Sequence, residues 1–171
     1  MMRSLNEVQG MVHKAARGAG VPLGHCEDIS AAMPDFIALG GDMSALVAAL
    51  NDPHEPWVDG HGSAIMAGPT AIDLARAGQG AQRINGADLP LLLHALVSMA
   101  NRFGAGLICD VQGDCVVIAV GQGPSVDLPA GPVDIDSGAW AGLAALAALT
   151  LVPETDTSRS AGAGAGLTDN D

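Results

Sequence analysis

Arginine and lysine are scarce in this chain, seven residues against 19 acidic ones, and two of the arginines stand beside glycine-rich segments. Arg17 precedes Gly18-Ala19-Gly20, and Arg159 precedes Gly162-Ala163-Gly164-Ala165-Gly166. Glycine backbone lets successive N–H groups converge on an anion, and a guanidinium grips a carboxylate or phosphate with two parallel hydrogen bonds. If the two ends of the chain meet, Lys14, Arg17, Gly18, Gly20, Glu27, Arg159, Gly164, Gly166 and Asp169 form one seam for a small anionic ligand. A plainer reading stands beside it. Gly18 and Gly20 then stop a helix, and Arg17 is a solvated last-turn cation favoured by the helix dipole. Neither segment is a nucleotide loop, because the first follows a helix and the second has too little chain after it to form one.

Other residues carry chemistry in smaller groups. Glu27, Asp28, Asp169 and Asp171 can hold a hard cation or act as acid and base; the plainer reading is solvated surface carboxylates. Asp52, His54, Glu55, Asp59 and His61 offer oxygen and nitrogen ligands within ten residues. His54 and His61 are the candidate metal ligands, against an ordinary solvated loop that lacks the thiolates of a structural zinc site. His25-Cys26-Glu27 suggests an activated thiol, yet no base partner is assignable and a buried, idle Cys26 is the simpler expectation. Cys109 and Cys115 read as small core residues that can face each other across a three-residue turn. His94 reads as a hydrogen-bonded core histidine. No cofactor is expected.

Local signals suggest the elements that must position these groups. Ser4 and Glu7 form a capping box ahead of a helix whose buried stripe is Leu5, Val8, Met11, Val12, Ala15 and Ala16. A second helix is predicted from Pro22 until Pro34 disturbs it, and a third, capped by Asp42, over Met43 to Leu50. Residues 51–62 read as a surface loop, Ser63 to Ala67 as a short strand, and Thr70 to Ala77 as helix. Asp88 is expected to cap a central helix over Leu89 to Phe103. Leu107 to Val111 and Cys115 to Val120 flank Gln112-Gly113-Asp114 as a hairpin, with further strands at Ser125 to Leu128 and Val133 to Ile135. A final helix covers Ser137 to Leu151 and is stopped by Pro153. Helices, then sheet, then helix imply an α+β fold.

Composition sets the wider limits. With 171 residues the chain suits a single domain, residues 1–171, with a glycine-rich tail over 154–171 folded back on the body. The core must be made of small aliphatic side chains, since there are two Phe, two Trp and no Tyr. A net charge of -12 repels phosphate backbones and anionic lipid, so neither nucleic acid nor a membrane is an expected partner. No apolar run reaches the roughly 20 residues of a membrane span. An odd number of cysteines without a CxxC pair fits a reduced, cytoplasmic setting. Flat helix faces built from small residues suggest a homodimer.

Ser4-Leu5-Asn6-Glu7, then Lys14-Ala15-Ala16-Arg17-Gly18-Ala19-Gly20, Gly24 and Glu27 resemble the opening of a bacterial domain-of-unknown-function family, number 3726. Val152-Pro153, Ser158-Arg159 and Gly162 through Asp171 resemble its closing segment, although Val21-Pro22 stands where members carry an aromatic residue. The resemblance implies no activity. The expected function is therefore a non-catalytic accessory or ligand-binding protein for a small anionic metabolite or a catabolic partner enzyme. The alternatives are a small hydrolase or lyase with an arginine/carboxylate site, and a metal-binding protein using His54 and His61.

Overall fold

In the computed structural model, residues 1–52 and 60–151 are described. The capping box opens α1 (Leu5–Gly18): the Glu7 amide donates to Ser4 Oγ at 3.2 Å, and the Ser4 amide donates to Glu7 Oε2 at 2.9 Å. Val8, Val12, Ala15 and Ala16 are fully buried, while Leu5 and Met11 at the stripe's edge are half-buried. At the far end Gly20 adopts φ 85°, and the amides of Gly20 and Val21 donate to the carbonyls of Arg17 and Ala16, each at 3.0 Å. That left-handed cap satisfies two otherwise orphaned carbonyls and ends the helix.

The chain then turns into α2 (Leu23–Ala31) and α3 (Met33–Ala38). Pro34 does not simply stop a helix; it sits in the first turn of α3, where a missing N–H costs nothing. The next helix, α4 (Met43–Asn51), is capped by Asp42 as predicted, its carboxylate accepting from the Ser44 amide at 2.8 Å.

Helix α5 (Ala64–Arg76) corrects the strand expected at Ser63 to Ala67. Ser63 Oγ accepts from the Met66 amide at 3.4 Å, and Asp88 reaches across to accept from the Ala64 amide at 2.8 Å. Asp88 thus caps α5 rather than α6 (Pro90–Arg102), which begins after Leu89 with no side-chain cap. Gly68-Pro69 lies inside α5 and is buried. A Cβ at Gly68 would stand 2.6 Å from Leu96 Cδ1, so glycine lets α5 and α6 cross closely.

The antiparallel sheet has the order β2-β4-β3, with β2 (Gln82–Asn85), β3 (Leu107–Gln112) and β4 (Cys115–Val120). The hairpin was legible in the sequence; β2 was not. Cys109 lies opposite Ile118 and Cys115 opposite Gln112, so the two thiols do not face each other, and both are free. Ser125 to Leu128 forms no strand. Its Val126 amide is taken by Ser98 Oγ at 2.9 Å, a side-chain partner in place of a ladder. Val133–Asp134 is β5, paired with β1 (Met2–Arg3), and Arg3 lies 4.4 Å over the Trp140 ring of α7 (Ser137–Ala148).

Seven helices and short antiparallel sheets among the described residues make an α+β fold. Helix α6 is its centre, packed against α3, α5 and the sheet, with Leu92, Leu93 and Leu96 fully buried. One carboxylate lies inside this core. Asp35 of α3, with no solvent exposure, accepts from Ser98 Oγ at 2.7 Å and from both terminal nitrogens of Arg102, one at 2.7 Å. A buried charge is tolerable only when paired and hydrogen-bonded, and this bidentate arrangement provides both. It locks α3 to α6, and through Ser98 to the chain after β4. No described helix is long and apolar enough to cross a membrane.

Candidate ligand cavity between three helices

The site is built where α2 meets α5. Half-buried His25 on α2 places Nε2 3.2 Å from Thr70 Oγ1 and 3.3 Å from the Met66 carbonyl oxygen on α5. One helical turn further on, at i+3 on both helices, Asp28 and Asp73 approach the same space. There a half-enclosed cavity of about 110 Å³ opens. Asp28, Asp73 and Arg76 are its charged lining; Ile72 of α5, Leu96 and Met99 of α6, and Phe103 just beyond α6 supply apolar walls. Phe103 is 81% exposed, an uncommon position for a large aromatic side chain.

The electrostatics of the cavity are uneven. Burial pushes the Asp28 carboxyl above its ordinary pKa, and the Asp73 and Glu27 carboxylates push the same way. His25 and Arg76 pull against them. Two carboxylates and one guanidinium line the space, and among the described residues no ion pair joins Arg76 to either acid. A cleft with a perturbed carboxyl, apolar walls and a few converging polar groups has the character of a ligand site.

None of Lys14, Arg17, Gly18, Gly20 or Glu27 lines this cavity. Lys14, Arg17 and Glu27 are exposed; Arg17 and Glu27 both lie close enough to bias the titration of Cys26. That thiol is buried, donates to the Val21 carbonyl at 3.2 Å and has its pKa raised, chiefly by burial, which suits an idle core cysteine. Gly18 turns out to be a packing glycine: a Cβ there would stand 1.8 Å from the Leu146 carbonyl oxygen of α7. Arg159, Gly164, Gly166 and Asp169 lie outside the described residues, as does the tail expected to fold back.

His54 also lies outside the described residues, whereas His61 is exposed, bridged to Asn85 at the edge of β2. Among the described residues no group of three or more His, Cys, Asp or Glu side chains could hold a metal ion. His94 is half-buried without a side-chain hydrogen bond to the described residues, which corrects the expected hydrogen-bonded core histidine. It lines a second cavity, about 310 Å³, with Val97, Ser98, Cys109 and Asp110. Burial, reinforced by Asp110, pushes the Cys109 thiol up to about 12, so this group is no nucleophile.

Sequence reasoning found Asp28 among the candidate carboxylates but missed Asp73, Arg76 and Phe103, whose meeting depends on the packing of three helices. It also missed Asp35. A signal was present, an acid inside the apolar run Met33-Pro34-Asp35-Phe36-Ile37, which demands a buried partner.

Residues 3–51, from β1 through α4, match the model of the family described as Protein of unknown function (DUF3726). The match takes in Lys14 through Gly20 and Asp28, and ends before Asp73 and Arg76. Neither the curated proteins nor the solved structures contain a match to the chain.

Proposed function

We propose that the protein is a non-catalytic accessory protein that binds a small charged metabolite in the cavity between α2, α5 and α6. The observation that carries this reading is the meeting of Asp28, Asp73 and Arg76 with the apolar walls of Ile72, Leu96 and Met99 around one half-enclosed space. Apolar walls supply affinity by excluding water, and the charged groups select the head group. Arg76 is the anchor available to an anionic metabolite. The exposed Arg17 lies on another helix, so the cavity supports a site more directly than the glycine-flanked arginines do.

Thermal-shift screening of small carboxylates, phosphates and amines tests the proposal, with Met99→Trp as the variant that fills the cavity. A ligand that raises Tm in the native protein and fails to do so in the variant supports the site. A shift that persists in Met99→Trp places the ligand elsewhere.

A second reading rests on Asp28. A carboxyl whose pKa is raised holds its proton closer to neutral pH, as a general acid requires, and Arg76 could then orient an anionic substrate for hydrolysis or elimination. Product formation from any ligand found in the screen, abolished by Asp28→Asn, favours this reading over simple binding.

A further inference from the structure

The cavity's shape and charge narrow the ligand further, given that the cavity is the binding site. Two carboxylates, Asp28 and Asp73, converge on it from α2 and α5, against the single guanidinium of Arg76. Asp28 is half-buried, whereas Asp73 and Arg76 are exposed, so the partly desolvated charge is negative and the positive one stays in water at the rim. Desolvated charges interact more strongly than solvated ones, which gives the enclosed part of the cavity a preference for a cation. His25, whose Nε2 is engaged by Thr70 and the Met66 carbonyl, is not part of the cavity lining. The thioether of Met99, the isobutyl group of Leu96 and the ring of Phe103 close the remaining sides with no further polar side chain.

Volume limits the rest of the molecule. An apolar cavity of about 150 Å³ is enough for benzene. At about 110 Å³, this space takes an aliphatic body of roughly four or five carbons with its head group at the acids. We infer that the cavity recognises a primary ammonium group on a short aliphatic body, with Asp28 and Asp73 accepting its hydrogen bonds and Ile72, Leu96 and Met99 enclosing the chain.

The experiment compares two molecules of equal length and opposite charge, n-pentylamine and n-pentanoate, by NMR titration of the full chain near neutral pH. Pentylamine should perturb the Met99 methyl and the Phe103 ring with a saturating curve, while pentanoate leaves them unchanged. Asp28→Asn and Asp73→Asn keep the side-chain shape and should each weaken pentylamine binding about tenfold, the loss expected for one hydrogen bond to a charged group. The unperturbed dispersion of other resonances shows that each variant is folded.

Equal binding of pentanoate, or pentylamine binding insensitive to both substitutions, overturns the ammonium assignment while leaving a ligand cavity in place. Absence of any pentylamine effect also overturns it. The broader proposal of a ligand-binding protein falls separately, if no member of the screening panel gives a shift that Met99→Trp removes.

Discussion

Gly18→Ala and Gly10→Ala are the same substitution in the same helix, and the structure gives them opposite signs. Replacing a helix-interior glycine with alanine ordinarily gains up to about 1 kcal/mol, because the unfolded chain loses less freedom on folding. Gly10 is exposed and a Cβ there meets nothing within 4 Å, so Gly10→Ala should show that gain. At Gly18 the same methyl would stand 1.8 Å from the Leu146 carbonyl oxygen and 2.8 Å from its carbon. A carbon–oxygen contact settles at about 3.3 Å, so α1 and α7 would have to separate locally by roughly 1.5 Å. The oxygen cannot turn away, since it belongs to the backbone and accepts from the Leu149 amide at 3.0 Å. Separation loosens Ala15, Ala16, Leu143 and Leu146, all buried near this crossing. Overpacking costs of about 1–3 kcal/mol outweigh the propensity gain, for a net loss of roughly 1–2 kcal/mol. For a chain of this size that lowers Tm by roughly 2–8 °C, while Gly10→Ala raises it by up to about 4 °C. Scanning calorimetry and urea unfolding of the two variants provide the comparison. If Gly18→Ala stabilises the protein as much as Gly10→Ala does, the close-packing account of Gly18 is wrong.

Asp35→Ala should cost about 3 kcal/mol, the low end for breaking a buried pair, because Arg102, its side chain 26% exposed, can recover some hydration. Urea unfolding should show Asp35→Ala/Arg102→Ala costing less than the sum of the single changes, and simple additivity would contradict the coupling. Asp28→Asn should stabilise the protein near pH 7: a carboxyl whose folded pKa is raised holds its proton better when folded, so its contribution is full below the unfolded pKa and is lost as pH rises through the folded one. The variant's advantage, measured by thermal unfolding from pH 3 to pH 8, should therefore vanish below about pH 4, and an advantage growing toward low pH would reverse the assignment. Cys109, pushed up to about 12, should react with iodoacetamide at pH 8 about a thousandfold more slowly than a free thiol. Mass spectrometry of the alkylated protein reads this directly, and rapid labelling at Cys109 in the folded state would refute it.

Signals that act over a few residues are legible in the sequence. The Ser4/Glu7 capping box, the Asp42 cap of α4 and the Gln112-Gly113-Asp114 hairpin each depend on neighbours along the chain, and each appears where expected. Ser63 to Ala67 is not legible as helix, because its state is set by an Asp88 carboxylate 24 residues away and by a close crossing with Leu96. Gly18 shows the same division: its place at a helix end is readable, but its reason for being glycine is the carbonyl of Leu146 on a distant helix. The cavity is the extreme case. Residue type marks Asp28 as a candidate acid, and nothing local to it names Asp73, Arg76 or Phe103 as its neighbours. By itself the sequence determined the acidic balance, the main helices and the hairpin, because these follow from composition and from contacts within a turn or two. The tertiary structure decided which charges share a partly dry space, because that depends on how α2, α5 and α6 pack.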